Sequence, residues 1–274
     1  MKKIIVIFLV LSGLSPIFGQ TVNFRGNIEI GFVDVYSHTI RFGQGASGTD
    51  FDYVNSGGQD ILFPFQRITA DIEIGSHNII TLLYQPIDVR TTVPYSASFN
   101  MAGTTFPADS VLDLRYGFDF YRLSWMWDFF KETDRILGFG VSLQLRDAVI
   151  NFATADGTVL VDQRDVGPVP ALKFRYQENI GPVFWVGAEV DGIYANIKIL
   201  NGSVENEITG SILDASLRAG AHISENMDIF LNYRFLGGGA AGTSIDEAND
   251  GDADDGFTDN QLALGTVTLG VTIK

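Results

Sequence analysis

Few residues of this sequence could take part in catalysis. It contains no cysteine, so the first candidates are its three histidines. His38 has Asp34 four residues before it, and His222 stands two residues before Ser224. A hydrolase needs a nucleophile or an activated water beside a base, which a third group orients. Nothing in the sequence supplies that third group for His38. We therefore assign no catalytic residue.

Two glycine-rich or acidic segments contain other candidate sites. The run from Gly237 to Gly242 matches the dinucleotide-binding pattern G-x-G-x-x-G, but no helix follows it to hold a phosphate. We predict instead a mobile loop over 237–257. Its segment 246–256 crowds carboxylates as a calcium loop does, although an EF-hand spacing begun at Asp250 has Gln261 in place of the bidentate glutamate. The candidate ligands for a divalent cation are Asp250, Asp252, Asp254 and Asp255. We expect no organic cofactor.

The composition excludes several classes of function. The chain has 274 residues and a formal net charge of −15, with a pI of about 4.4. Nucleic acid is not expected as a partner, because phosphate binding needs a basic surface. The absence of cysteine excludes disulfides, thiolate zinc sites, iron–sulfur clusters and cysteine nucleophiles.

The amino terminus has the layout of a secretory signal peptide. A basic start at Met1–Lys3 precedes an apolar run over Ile4–Leu14, and Gly19 is a small residue at a plausible cleavage point. The apolar run is too short for a membrane-spanning helix, which needs about 20 residues. We predict a signal peptide over 1–19 and a single domain over 20–274, with no helical membrane span.

Apolar and polar residues alternate with period two through most of the remaining chain, which predicts β-strands. Tight turns rich in Gly, Asn and Ser alternate with longer, polar, Gly-rich loops. Ten strands are predicted, over about 22–42, 60–74, 79–93, 111–127, 136–153, 169–178, 183–199, 207–223, 228–236 and 258–274. An even strand number with short turns at one end is typical of an all-β, antiparallel, transmembrane up-and-down β-barrel of about 10 strands, in a range of about 8–12.

A soluble barrel or sandwich would show the same alternation with its apolar face inward. Charges of both signs on the polar face favour a filled lumen, and aromatic residues near strand ends favour interfacial girdles. We therefore predict that Ile68, Ile72, Leu114 and Phe118 face lipid. The predicted lumen charges are Arg67, Asp71, Glu73, Arg115, Asp119, Arg146, Arg175, Glu189, Asp214, Arg218 and Arg234.

Several strands change phase partway, at Asp34, Pro86, Tyr121–Arg122, Arg146–Asp147 and Gly192. Bulges, or passage of a strand from membrane to solvent, would both produce such changes. A first strand of about 21 residues tilted by about 45° would rise about 49 Å, beyond an apolar band of about 25 Å. We therefore expect the strands to protrude from the membrane.

These features resemble the small outer-membrane β-barrel proteins of Gram-negative bacteria. The resemblance covers residues 21–274 as an architecture, without the motif of one family, and the chain ends in Lys274 where such barrels usually end in an aromatic residue. It implies an outer-membrane location, contact with outer-membrane lipid and lipopolysaccharide, and insertion by the barrel-assembly machinery. A divalent cation at 246–256 could bridge lipopolysaccharide phosphates.

The same resemblance offers two enzymatic alternatives. His222-Ile223-Ser224 is similar to the His-x-Ser pair of outer-membrane lipid A deacylases, and His38 with Asp34 is similar to the mouth residues of omptin proteases, which are ten-stranded barrels. Ten strands leave a lumen mostly filled by side chains, because open channels belong to barrels of about 16 strands. We therefore expect a plugged barrel with a structural, ligand-binding or partner-binding role, then a narrow pore, and last a hydrolase.

Overall fold

The computed structural model describes residues 21–43, 49–101, 103–130, 135–201, 204–243 and 257–274. The predicted signal peptide and the four candidate cation ligands lie outside the described residues. Within those ranges, no helix is long and apolar enough to span a membrane.

Ten long antiparallel strands form one closed barrel. Each long strand pairs with its neighbour along the chain, and the last pairs with the first, so that Ile28 lies opposite Val271. This confirms the predicted all-β, up-and-down barrel. The strands are β1 (Val22–Phe42), β2 (Thr49–Asp52), β3 (Phe63–Ile74), β4 (Asn78–Tyr95), β5 (Phe99–Met101), β6 (Thr104–Phe106), β7 (Ser110–Asp128), β8 (Arg135–Thr154), β9 (Leu160–Ile180), β10 (Phe184–Asn201), β11 (Val204–Ser224), β12 (Met227–Thr243) and β13 (Phe257–Ile273). The short β2 pairs with the end of β1, and β5–β6 is a separate hairpin.

Exposed apolar side chains cover the outer wall around the end with the short turns. Two tyrosine pairs lie at the upper edge of this apolar belt: Tyr84 stacks on Tyr121 at 5.1 Å, and the hydroxyls of Tyr36 and Tyr233 are 3.3 Å apart. The belt consists of Phe24, Ile28, Ile30, Phe32, Ile68, Leu82, Leu123, Trp125, Trp127, Phe139, Val141, Leu143, Leu145, Leu172, Phe184, Val186, Leu217, Ile229, Leu231, Val267 and Leu269.

Above the belt the two faces of the wall exchange character. Every even-numbered residue of β7 from Leu112 to Asp128 is buried, so the alternation is unbroken at Tyr121–Arg122. Leu114 and Phe118 are 2% and 7% exposed and point inward, so the prediction that they face lipid is wrong. The reason is that β7 has left the belt at their height, and the water outside drives apolar side chains into the barrel.

The same exchange removes two residues from the predicted lumen charges. Arg115 and Asp119 lie on odd-numbered positions of β7 and therefore on the outer wall. Arg115 forms an ion pair there with Asp88, at 2.8 Å, and both side chains are 40% exposed. Arg146 lies on β8, and its side chain is not among those described.

A β-bulge in β1 separates two residues that the sequence analysis had paired. On a regular strand, positions four apart lie on the same face. The register against β13 shifts between Val35 and Ser37, so Asp34 stays on the outer wall while His38 points inward. The His38–Asp34 pair is therefore not formed.

The glycine-rich stretch is strand rather than loop over its first part. Gly237 pairs with Leu213 of β11 and with Ala263 of β13, and β12 continues to Thr243. Main-chain ladder bonds need no side chain, and the ring of Phe235 covers Gly237, where an added Cβ would lie 2.7 Å from the ring. The prediction of a loop over 237–257 is wrong for 237–243, and 244–256 lies outside the described residues.

The belt makes a prediction that uses two equally exposed outward positions of β7. Leu123 is 51% exposed within the belt, and Val111 is 45% exposed above it. In phospholipid vesicles, Leu123→Arg should lower the free energy of unfolding by about 1–3 kcal/mol, because an arginine inside the apolar belt loses its hydration. Val111→Arg should change it by less than about 1 kcal/mol. Equal effects in urea titrations would contradict this placement of the belt.

Candidate functional site

A buried layer of charged side chains fills the lumen at the height of the apolar belt. Eleven described side chains form this lumen charge network, six cationic and five anionic, and they come from seven different strands. Its members are Glu29, Arg67, Asp71, Arg122, Lys173, Arg175, Glu189, Asp191, Asp214, Arg218 and Arg234. Alternation places them there, because each occupies an inward position of a strand whose other face belongs to the belt.

Arg67 on β3 spans the lumen at its centre. Its guanidinium lies 3.8 Å from Glu29 of β1 and 3.4 Å from Glu189 of β10. In the ring of ten strands, β3 and β10 are diametrically opposite. Glu29 also accepts hydrogen bonds from Asn232 at 2.7 Å and from Thr268 at 2.8 Å. One side chain therefore connects opposite walls.

Arg122 on β7 forms the second crossing. Its Nη1 lies 2.9 Å from carboxylate oxygens of both Asp191 and Asp214. Its Nε and Nη2 donate to Oε1 of Gln144, at 3.1 and 2.7 Å. Arg234 completes the cluster with Asp214, at 2.5 Å. The two buried aspartates therefore share one cation, Arg122.

Two further pairs fill the remaining section of the lumen. Lys173 Nζ lies 3.0 Å from both Glu189 and Asp191. Arg175 lies 2.8 Å from Asp71, which also accepts a hydrogen bond from Thr81 at 2.6 Å. With these pairs, charged hydrogen bonds join most strands of the barrel across the lumen at one height. Such bonds are stronger than neutral ones.

Seven of the eleven residues predicted for the lumen lie in this network: Arg67, Asp71, Arg175, Glu189, Asp214, Arg218 and Arg234. Glu73 lies lower, at the rim with the short turns, and pairs with Arg25 at 3.1 Å. The predicted lumen charges omit four members, which are Glu29, Arg122, Lys173 and Asp191, although alternation places Lys173 on the polar face. Spacing could have found two of them, because Lys173 and Asp191 stand two residues from Arg175 and Glu189.

A second, apolar layer lies above the network. Segments from the long loops enter the mouth, and Phe51, Met101 and Phe106 are at most 3% exposed. Phe51 packs edge-on against Phe152 of β8, with ring centroids 4.9 Å apart. Phe99 stacks on Phe106 at 4.9 Å. We call these loop residues, together with Tyr53, the aromatic cap.

His38 lies beneath the aromatic cap and above the apolar belt. Its ring stacks on Tyr53 at 4.2 Å and meets Tyr116 edge-on at 4.2 Å. Its Nδ1 is 2.8 Å from Oε1 of Gln59, which belongs to the loop before β3. Burial lowers the pKa of His38 to about 4, although hydrogen bonding to Gln59 partly opposes the shift. A neutral imidazole in this position links the cap to β1.

His222 lies at the opposite end, at the β11–β12 turn. Its Nδ1 is 2.8 Å from Asp228 and its Nε2 is 3.3 Å from Asn179. Ser224 instead accepts a hydrogen bond from the backbone N–H of Asn226. Both ring nitrogens of His222 therefore contact groups other than Ser224, and the His-x-Ser spacing does not form a base–nucleophile pair.

No metal site is found in the described ranges. There, no three side chains of histidine, cysteine, aspartate or glutamate are grouped as ligands.

Removal of Arg122 tests the network. Arg122→Leu leaves Asp191 and Asp214 buried with fewer cations, so the free energy of unfolding should fall by about 3–5 kcal/mol. Arg90→Leu on the outer wall is the control, because the Arg90–Asp88 pair is 64% and 40% exposed and should be worth at most about 1 kcal/mol. Similar losses for both variants in urea titrations would contradict the assigned burial.

The pKa of His38 makes a pH-dependent prediction. The unfolded chain takes up a proton near pH 6.5, whereas the folded protein does so only near pH 4. Stability from the neutral imidazole is therefore present above pH 6.5 and is lost as the pH falls toward 4, by about 3 kcal/mol.

The measurement is the free energy of unfolding at pH 7, 5.5 and 4.5, for the wild type and for His38→Gln. The difference between the two proteins should change with pH in favour of the variant at low pH. Parallel pH profiles would exclude His38 as the titrating group.

Comparison with known proteins identifies the fold but no family. No protein-family model matches the sequence, and no curated protein matches it. The outer membrane protease OmpT from Escherichia coli matches with a TM-score of 0.53 and 9% identity, over 95% of this chain and 98% of OmpT. The transport unit of the autotransporter AIDA-I from Escherichia coli matches with a TM-score of 0.43 and 8% identity, over 96% of this chain and 94% of that one. The likeness to OmpT shows that this chain has the fold of the outer-membrane β-barrel proteins.

Proposed function

We propose that this protein is an integral outer-membrane β-barrel with a closed lumen, which has a structural role or binds a ligand or partner at the cell surface. The observation that carries the proposal is the crossing of the lumen by Arg67, between Glu29 and Glu189. A solute would have to displace buried, paired charges there. Separating a buried charge from its partners leaves it uncompensated, at a cost of about 3–5 kcal/mol per pair.

The closure has two layers of different chemistry. An ion that passed the aromatic cap would enter an apolar section lined by residues such as Phe118 and Phe120, and would lose its hydration there. An apolar solute that passed the cap would then meet the lumen charge network. Neither class of solute has a continuous favourable path, which supports a non-porous barrel.

The apolar belt supports an orientation as well as a location. Outer-membrane barrels have short turns on the periplasmic side and longer loops outside. We assign the short turns, such as 75–77, to the periplasm and the aromatic cap to the cell exterior. The wall above the belt, with Asp88, Arg90 and Arg115, would then contact lipopolysaccharide or external partners. Insertion by the barrel-assembly machinery follows from the same assignment.

The lack of cysteine allows a direct test of orientation. Ala155→Cys adds a thiol to the exposed loop between β8 and β9, and Ser76→Cys adds one to the exposed turn between β3 and β4. On intact cells, a membrane-impermeant maleimide should label the first variant, and should label the second only after the outer membrane is permeabilised. The reverse labelling pattern would invert the proposed orientation.

Planar-bilayer recording tests the closed lumen. The refolded wild type should show no steady conductance, because both layers remain in place. A steady wild-type conductance that Arg67→Ala/Glu189→Ala increases would instead establish the narrow-pore alternative. The matched control is Asp88→Ala/Arg90→Ala, which removes an ion pair from the outer wall and should leave conductance unchanged.

The hydrolase alternative has one supporting observation, the fold likeness to OmpT. A shared fold does not transfer an activity, because activity depends on the site. His38 lies beneath the aromatic cap with Asp34 on the other face of the wall, so a substrate outside the barrel would not reach it. Peptide cleavage that His38→Ala abolishes and His77→Ala preserves would overturn this part of the proposal.

A further inference from the structure

A small polar cavity lies at the short-turn end of the lumen, below the lumen charge network. Its lining includes Arg25, Arg175, Trp185, Arg218 and Asp228. Its volume is about 10 Å³, measured as the space open to the centre of a water-sized sphere. A space of this size holds a single occupant about as large as a water molecule.

Hydrogen-bond donors without a partner surround this cavity. Among the described residues, the Nε1 of Trp185 and the Nε atoms of Arg25 and Arg218 are buried and have no acceptor. Trp185 is 4% exposed, and its indole lies over Gly220, where an added Cβ would be 2.4 Å from the ring. The fold therefore keeps this N–H in the cavity wall, although a buried donor without an acceptor costs about 1–3 kcal/mol.

Two acceptors of the same lining are already engaged. Asn27 accepts a hydrogen bond from the Thr272 hydroxyl at 2.7 Å. The Oδ1 of Asp228 lies 2.8 Å from both His222 and Lys274, and the charge of Lys274 offsets that of the carboxylate. The lining thus offers three unpaired N–H donors to an occupant, while two of its acceptors are taken.

The charges favour an anion in this position. The carboxylates nearest to Arg218 are Glu29 and Glu189, each 3.7 Å away and beyond hydrogen-bond distance. The lumen charge network has one more cation than anions, while the Arg25–Glu73 pair beside it is neutral. An anion beside Arg218 would balance this excess positive charge. Arg218 is the suitable place because its own carboxylate partners are both 3.7 Å away.

We propose that this cavity binds one monovalent anion of about the size of chloride. A halide accepts hydrogen bonds from the indole and both guanidinium groups and has no hydrogen of its own to place. A water molecule accepts about two hydrogen bonds, one fewer than the three unpaired donors require, and would also have to place two hydrogens of its own. Larger oxyanions exceed the volume. The site lies near the short-turn end, so the anion would enter from the periplasm.

Bromide provides a probe that a diffraction experiment can distinguish from water. In crystals of the unaltered protein grown in sodium bromide, the anomalous difference map should contain a peak within hydrogen-bond distance of Trp185 Nε1 and Arg218. Density in the cavity without an anomalous peak would show that the occupant is water and would overturn the proposal.

A solution experiment tests the assigned donors. In a variant with Trp125→Phe and Trp127→Phe, Trp185 is the single tryptophan, and bromide should quench its fluorescence with saturation at constant ionic strength. Adding Arg218→Gln should weaken the binding about tenfold or more, because a charged hydrogen bond is lost. Adding Arg90→Gln on the outer wall should leave it unchanged. Quenching that increases linearly, or saturation that survives Arg218→Gln, would overturn the proposal.

Discussion

The pairing of buried charges across the lumen is the constraint on which the rest of this structure depends. Arg67 is 1% exposed. A guanidinium buried there without a carboxylate partner would lose several kcal/mol of hydration free energy that no interaction replaces. Its partners come from β1 and β10, which are far apart in sequence. A slip of one residue in any of these strands would turn a charged side chain outward into the belt. The charges therefore specify the register of the strands as well as filling the space between them.

The barrel uses one alternation of side chains in two different surroundings. Within the belt, charged residues such as Arg122 point inward and apolar residues such as Leu123 point outward. Above it, Tyr116 and Phe118 point inward while Arg115 points outward. No change in backbone geometry is needed on β7, because the solvent outside the wall alone decides which chemistry faces it. The upper half is thus built like a soluble barrel on top of a membrane barrel.

This division explains what could be predicted from the sequence. Period-two alternation and turn chemistry predicted the ten long strands, because both features are local, but not the three short strands β2, β5 and β6. The height at which the wall leaves the belt is not local, so Leu114 was placed on the lipid side and Arg115 in the lumen. Arg122 was missed for a related reason. The inward positions of β7 change from apolar to polar residues near Tyr121, and in the sequence this looks like a shift of the alternation by one residue.

A single β-bulge in β1 separates the two residues of the most plausible catalytic pair, Asp34 and His38. The spacing of Asp34 and His38 indicates a shared face on a regular strand, and nothing in the residue types between them predicts the extra residue. Its effect is to turn His38 into the barrel, where the aromatic cap contacts it. The glycines from Gly237 led to the prediction of a loop where the structure has a strand. Whether such a segment is a strand depends on its pairing with β11 and β13, which its own residues do not indicate.

The two closures also bear on where any binding must take place. The lumen charge network is paired mainly among its own members, and the aromatic cap is packed from loops that belong to the chain. The polar cavity beside Trp185 and Arg218 has room for an ion rather than a metabolite. A second pocket, lined by residues such as Phe235 and Leu262, is larger, at about 610 Å³. We expect recognition of a macromolecular partner to use the outer wall above the belt and the outer surface of the loops. That surface carries paired charges such as Arg115 and Asp88, which in water contribute more to the orientation and selectivity of a partner than to its affinity.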